Sequence, residues 1–125
     1  MTTLPDVLLT AWEARNGPVV LTTVDKDGLP NAIYAGSVRK YDDGTFVVAD
    51  NYFCKTLANI MEGSKASLLF ITTEKKAYQL KGSLSYLTSG PIYEDMKTWV
   101  DPKHPRRGVA VLHVEQAYNG ATQLL

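Results

Sequence analysis

The chain has 125 residues, and its 13 lysine and arginine residues balance its 13 aspartate and glutamate residues. We expect one domain, residues 1–125, because this length can bury a self-standing core. A net charge of zero argues against binding nucleic acid through a broad basic surface. A single cysteine excludes an internal disulfide, and without an export signal or a long apolar run we expect a cytoplasmic protein that does not bind membranes.

The first predicted element is a helix that starts at Pro5 and Asp6 and stops before Gly17. Proline suits the first turn, aspartate complements the positive end of the helix dipole, and glycine is a common helix terminator. Trp12 lies among apolar residues at helical spacing, so we expect its side chain to anchor the core.

Six later segments have the β-branched or alternating composition of strands. They span residues 19–24, 30–41, 45–49, 65–73, 77–87 and 109–114. The near-continuous apolar centre of segment 65–73 predicts a strand that is buried on both faces. Gly36 interrupts segment 30–41, which indicates a bulge or a close approach there. With a short helix before Gly63 and another over residues 89–100, this order predicts a mainly β (α+β) fold built on a small antiparallel barrel.

The helix before Gly63 has two sides of different character. At about 100° per residue, with Lys55 at the origin, Thr56 and Asn59 fall on the same side as Lys55. The apolar side chains point almost the opposite way and belong to Phe53, Leu57, Ile60 and Met61. The first turn also offers free backbone N–H groups and the positive end of the helix dipole. An amine, a hydroxyl and these N–H groups together suit an anion such as a phosphate.

The chain lacks a recognisable catalytic motif. Its two histidines are far apart and it has one cysteine, so a zinc site is not expected. We expect His113 to be structural and Cys54 to be a small buried residue, with a reactive thiol as the alternative for Cys54. The Arg106-Arg107 pair is typical of solvated loop surface, with an anion contact as the alternative. No catalytic residue is assigned, so redox chemistry would need a bound cofactor.

Three segments together carry a family resemblance: VVLTT at residues 19–23, DGLPN at residues 27–31 and KTLANI at residues 55–60. In this order, with KTLANI directly after a strand and a short loop, the chain resembles the FMN-binding split-barrel family related to pyridoxamine 5'-phosphate oxidase. The likeness is greatest to the small FMN-binding proteins. It implies a six-stranded antiparallel split β-barrel with Greek-key character, an N-terminal helix and two short helices.

The resemblance also implies an FMN site. Lys55 and Thr56 would bind the phosphate, and Asn59, one turn further on, would support them. Other positions match segments near the flavin: the backbone of Ile33, Tyr34 and Ala35 facing the ring, Val48, Ala49 and Asp50 beside the ribityl chain, and Gln79 and Lys81 approaching the flavin or phosphate. The family usually forms homodimers with FMN at the subunit interface, where the flavin would be covered from the other chain by Leu124 and Leu125.

Two departures modify these expectations. Residues 52–54 are YFC where many relatives place arginine or serine near the phosphate, so we expect a thinner phosphate shell. The chain also stops where pyridoxamine phosphate oxidases continue into a substrate-binding segment, which argues against vitamin B6 oxidation.

The resulting hypothesis is a flavin-dependent oxidoreductase or small electron-transfer protein, with a nicotinamide nucleotide or a redox protein as its electron donor. Two alternatives stay open: a split barrel that binds or senses a ligand without flavin, and a relative that binds haem or deazaflavin. Haem would need His104 or His113 as its axial ligand. The acidic tail of a deazaflavin cofactor would favour a more basic chain than this one.

Overall fold

The computed structural model describes residues 3–125, which form a curled antiparallel sheet with three helices. The helices are α1 (Asp6–Glu13), α2 (Lys55–Met61) and α3 (Pro91–Trp99). The strands are β1 (Val19–Val24), β2 (Pro30–Ala35), β3 (Val38–Asp42), β4 (Thr45–Asp50), β5 (Ala66–Ile71), β6 (Ala77–Leu87), β7 (Gly108–Asn119) and β8 (Thr122–Gln123). The mainly β fold is confirmed, but the expected six strands are eight. Within the same range, no helix has both the length and the apolar character needed to cross a bilayer.

The strand count differs mainly because residues 30–41 form two strands that pair at opposite ends of the sheet. The sheet order is β2-β1-β5-β6-β7-β4-β3, and β8 pairs with β7 outside this path. Only Gly36 and Ser37 separate β2 from β3, so the sheet must curl until its two ends approach each other. The Ala49 N–H donates to the Ser37 carbonyl at 2.9 Å, which ties this link to β4. An alternating pattern indicates a strand but not its pairing partner, so it could not locate this break.

The main core fills the inside of the curled sheet. Trp12 of α1 is buried, and its ring contacts Phe46 and Phe70 edge to face at centroid distances of 4.7 and 5.1 Å. The prediction that Trp12 anchors the core is confirmed. A second, smaller cluster joins α3 to β4 and β7 and includes Met96 and Val109. Because β4 contributes to both clusters, it is buried on both faces.

In contrast, β5 is buried on one face only. Leu68 is buried in the main core, whereas Leu69 and Ile71 are exposed. The prediction that this segment is buried on both faces is wrong, because the side chains on the outer side of β5 keep a large exposed fraction, 40% for Leu69 and 41% for Ile71. The register places Val20 between Leu69 and Tyr34, so an apolar row crosses the outer face of three strands.

Candidate functional site

α2 turns its polar side toward the sheet. Thr56, Asn59 and Ile60 are its buried residues, and Thr56 is only 2% exposed. Lys55 is exposed at the start of the helix, and Met61 is 61% exposed at its end. The buried arc is therefore centred on the hydroxyl and the amide, and Met61, which the sequence pattern assigned to the apolar side, lies in solvent.

Two side-chain hydrogen bonds explain this orientation. The Asn59 amide donates from Nδ2 to Thr23 Oγ1 on β1 at 3.0 Å, and the Asn31 amide on β2 donates from Nδ2 to Thr56 Oγ1 at 3.2 Å. Buried polar groups are tolerated when they are paired in this way. Since Thr56 Oγ1 is the acceptor here, its own hydroxyl hydrogen is left for one further acceptor.

The start of α2 is open to an anion. Cys54 precedes the helix without forming a side-chain cap, and the first turn has no acidic residue. The Ala58 N–H donates to the Cys54 carbonyl at 3.1 Å, so the N–H groups of residues 55–57 have no acceptor within the helix. Cys54 itself is exposed. The expectation that Cys54 is buried is wrong, because Phe53 is the residue of this turn that packs into the core.

Asp50, at the end of β4, has a carboxylate with no solvent exposure. Its Oδ1 accepts from the Phe53 N–H at 2.9 Å and from Arg107 Nη2 at 2.9 Å, while its Oδ2 accepts from the Tyr86 hydroxyl. The same Nη2 also donates to the Phe53 carbonyl at 2.6 Å. The Asp50 side chain, predicted to lie beside a ribityl chain, is therefore fully engaged with protein partners.

Tyr86 and Gly108 complete the cluster around the buried Asp50 carboxylate. Gly108 lies opposite Asp50 in the β4–β7 register, and a Cβ at this position would lie 2.5 Å from the Tyr86 hydroxyl oxygen. Glycine therefore makes room for the tyrosine ring. Burial raises the pKa of Tyr86, and the hydrogen bond to Asp50 and the negative charge of that residue raise it further.

A groove of about 400 Å³, called the turn groove below, opens beside the residues that lead into α2. It contains four of the predicted site residues, Ile33, Tyr34, Ala35 and Ala49. The rest of its lining consists of Gly36, Ser37, Asn51, Tyr52, Phe53 and His104. The predicted residue Val48 does not line it, because that side chain is buried in the main core.

The loop between α3 and β7 is attached to the wall of the turn groove. The Tyr52 hydroxyl and His104 Nδ1 lie 3.3 Å apart, and Asn51 Oδ1 accepts from the Arg106 N–H at 3.2 Å. Arg107, the next residue, pairs with the buried carboxylate described above. Arg107 is exposed, as predicted for this loop, but its guanidinium also contacts an anion, the Asp50 carboxylate, which is the alternative that the sequence left open.

A second groove, of about 450 Å³, is called the sheet groove below. Gln79 and Lys81 line it together with Thr23. Lys65 and Glu115 also line it and form an ion pair of 2.8 Å. Within residues 3–125, no residue lines both grooves, so the residues predicted to contact a flavin fall into separate sets on this chain.

The C-terminal leucines fold back on their own chain. Leu124 and Leu125 are half-buried and pack against the main core. The Leu124 N–H donates to the Ala117 carbonyl at 2.8 Å, and the Leu125 carbonyl accepts from the Ala117 N–H at 3.0 Å. These leucines therefore have a place within one chain.

Sequence reasoning assigned no role at this site to Thr23, Asn31, Tyr86 or Gly108, and it left Arg107 on the surface. One signal was available, because Asp50 ends an apolar strand and a carboxylate in such a place needs a cation or several donors. The partner could not be named from the pattern, since Arg107 is 57 residues away in the chain.

A curled antiparallel sheet whose two ends approach each other without pairing defines a split barrel. The family model for pyridoxamine 5'-phosphate oxidase matches residues 8–119. The chain therefore belongs to the pyridoxamine 5'-phosphate oxidase family.

Similar proteins agree with this assignment. An uncharacterized protein of Methanocaldococcus jannaschii is 33% identical over 110 residues, which cover 84% of this chain and 74% of that protein. The crystal structure of HupZ from Group A Streptococcus has a TM-score of 0.77 at 30% identity and covers 87% of this chain and 89% of its own. An FMN-binding protein from Syntrophomonas wolfei has a TM-score of 0.77 at 21% identity, over 87% of this chain and 80% of its own, and this likeness shows the fold alone.

Proposed function

We propose that this protein binds FMN and acts in the cytoplasm as a flavin-dependent oxidoreductase or small electron-transfer protein. The open start of α2 carries the proposal, because it offers an exposed amine and free N–H groups to a phosphate. Membership of the family and an FMN-binding protein with the same fold support it. Bound FMN would supply the hydride or single-electron transfer.

In this proposal the phosphate lies at the start of α2. Lys55 pairs with it, and the N–H groups of residues 55–57 donate to it. Thr56 is almost fully buried, so it contributes its remaining hydroxyl hydrogen from the edge of the site. Asn59 acts indirectly by holding the helix on β1. Charge-assisted hydrogen bonds of this kind contribute about 1.5–3 kcal/mol each.

The turn groove suits the flavin ring. Among the described residues, β2 pairs only with β1, so it is an edge strand with alternate backbone N–H and C=O groups pointing away from the sheet. Ile33, Tyr34 and Ala35 belong to this strand and line the groove. A flavin has both donors and acceptors along the pyrimidine edge of its ring, which free backbone groups can match. The small side chain of Ala49 leaves room beside them for the ribityl chain.

We also propose a homodimer with FMN at the subunit interface. Tyr34 is 78% exposed, and together with the exposed Leu69 and Ile71 it gives the sheet an apolar outer face that a second copy can cover. Because Gln79 and Lys81 line a different groove from β2, we assign them to the flavin held by the partner. The exposed parts of the C-terminal leucines would contact the same interface.

The proposal is tested by an absorption spectrum of the purified protein, followed by titration with FMN and with riboflavin. We expect yellow protein with a flavin spectrum. Lys55→Ala should weaken FMN binding about tenfold or more and change riboflavin binding less than about twofold, because riboflavin lacks the phosphate. Lys26→Ala removes the same charge from an exposed turn that lines neither groove, so both affinities should stay unchanged.

Colourless protein that does not take up added FMN would overturn the proposed function. A haem spectrum would instead favour the haem alternative, with His104 or His113 as the axial ligand. Equal losses of FMN and riboflavin affinity in Lys55→Ala would overturn the phosphate role alone. Anaerobic titration of the flavoprotein with NADH and with NADPH then identifies a nicotinamide donor, and reduction by neither nucleotide would point to a redox protein.

A further inference from the structure

We propose that Arg107 is a positioning residue for the cofactor phosphate. It acts through Asp50 and the Phe53 carbonyl, and it sets the orientation of the peptide between Phe53 and Cys54 at the entry to α2. This inference rests on the proposed FMN site and adds to it a residue that comes from a different part of the chain.

Arg107 and Asp50 together hold the backbone of Phe53. Arg107 Nη2 lies 2.6 Å from the Phe53 carbonyl oxygen and 2.9 Å from Asp50 Oδ1. The Phe53 N–H donates to the same Asp50 oxygen at 2.9 Å. Both backbone polar groups of Phe53 are therefore held by one ion pair. The Arg107 N–H also donates to the Asp50 carbonyl at 2.9 Å, so the pair is joined through the backbone as well.

The bond to the Phe53 carbonyl also fixes the direction of the next backbone N–H group, that of Cys54. No peptide bond in the described chain is cis, and in a trans peptide the C=O and N–H groups point in opposite directions. Since Arg107 holds the carbonyl of Phe53, the Cys54 N–H points away from the ion pair. A cation on the carbonyl also polarises the peptide and strengthens its N–H as a donor. Cys54 directly precedes the N–H groups of residues 55–57.

Cations are sparse in the turn that leads into α2. Residues 52–54 contain no cation of their own, and Lys55 is the first one in this stretch. Arg107 brings a second positive charge to the turn from the start of β7, and its side chain is 46% exposed beside a fully buried Asp50. Asp50 balances this charge, so Arg107 acts on a phosphate through the Phe53–Cys54 peptide that it holds and not as a free cation. The sparse phosphate shell expected from the YFC sequence is thus reinforced from a distant element.

The test compares Arg107→Gln with Arg106→Gln, which removes the same charge from the neighbouring residue. The Arg106 side chain donates to the Lys97 carbonyl at 3.3 Å, and within residues 3–125 this is the one hydrogen bond that its side chain makes. We expect Arg107→Gln to weaken FMN binding about tenfold and riboflavin binding less than about twofold. Arg106→Gln should leave both affinities within about twofold of the wild type.

A purely structural role would lower both affinities together, so the ratio of FMN to riboflavin affinity is the deciding measurement. If Arg107→Gln does not fold, as judged by circular dichroism, Arg107→Lys replaces it. Lysine keeps the charge but lacks the planar guanidinium, and we expect about a threefold loss confined to FMN.

The measurements distinguish a failure of the proposed phosphate site from a failure of the positioning role of Arg107. Wild-type protein that does not bind FMN, or binds it no better than riboflavin, would overturn the proposed phosphate site and this inference with it. Wild-type protein that prefers FMN, with the same preference in a folded Arg107 variant, would overturn only the positioning role of Arg107.

Discussion

Two sets of polar contacts hold α2 and its entry turn against the sheet, and they differ in charge. The first, called the neutral anchor, consists of the Asn59–Thr23 and Asn31–Thr56 hydrogen bonds. The second, called the ionic anchor, consists of Asp50, Arg107 and Tyr86. Both anchors connect α2 and its entry turn to the sheet. Since one is neutral and the other is charged, each one can be expected to control a different part of this region.

A neutral pair and a buried ion differ in what they require. An amide and a hydroxyl can be buried with one good partner, and the bond contributes about 1 kcal/mol. A buried carboxylate needs several donors and a cation, and Asp50 has three donors, one of them charged. The neutral anchor therefore decides which face of α2 lies on the sheet. The ionic anchor decides where the backbone enters the helix.

Breaking the ionic anchor has the largest expected effect on stability. Arg107→Ala leaves the fully buried Asp50 carboxylate without its cationic partner, and removing one partner of a buried pair costs roughly 3–5 kcal/mol. The Arg107 side chain is 46% exposed, and solvent screening places the expected loss near the lower end, about 3 kcal/mol. Urea unfolding at fixed protein concentration measures this loss. The control Arg106→Ala should change the free energy of unfolding by less than about 0.5 kcal/mol, and an equally small effect of Arg107→Ala would show that Asp50 does not depend on its cation.

Removing one donor from the ionic anchor has a smaller effect with a characteristic dependence on pH. Tyr86→Phe should cost about 1.5–2 kcal/mol near neutral pH, because it deletes a hydrogen bond to a charged acceptor. The folded protein raises the pKa of Tyr86 above its ordinary value of 10.0. The unfolded chain therefore releases this proton first, and the stability from Tyr86 is complete below pH 10 and is lost as the pH rises toward the folded pKa. Unfolding curves should show a shallower alkaline decline in Tyr86→Phe than in the wild type, and equal declines would contradict the raised pKa.

The same two anchors show how far the sequence could predict this molecule. The mainly β class and the core position of Trp12 followed from local composition, because β-branched runs and an aromatic residue at helical spacing carry that information themselves. The polar side of α2 with Lys55, Thr56 and Asn59 was also visible, and its role as an anion site stays a prediction. The orientation of α2 was not visible, because a hydrophobic pattern treats Thr56 and Asn59 as solvent-facing. Partners on β1 and β2 reverse that preference, and no local pattern reports them.

The ionic anchor was hidden for a related reason. Asp50 and Arg107 are far apart in sequence, and they meet only because β4 pairs with β7. The break at Gly36 and Ser37 depends equally on pairing, since it marks where the chain passes from one end of the sheet to the other. Residue types thus indicated which groups would matter, whereas long-range strand pairing determined what those groups contact.

Breaking the neutral anchor has the smallest expected effect on the free energy of unfolding. Asn59→Ala leaves the Thr23 hydroxyl, which is almost fully buried, without its donor, and we expect a loss of about 1 kcal/mol. Thr23→Val and the double variant complete a mutant cycle, with an expected coupling energy of about 0.5–1.5 kcal/mol. The coupling energy should not change over the pH range in which Tyr86 titrates, because neither Asn59 nor Thr23 ionises. A coupling near zero would mean that packing of Ile60, and not the amide–hydroxyl pair, sets the buried face of α2.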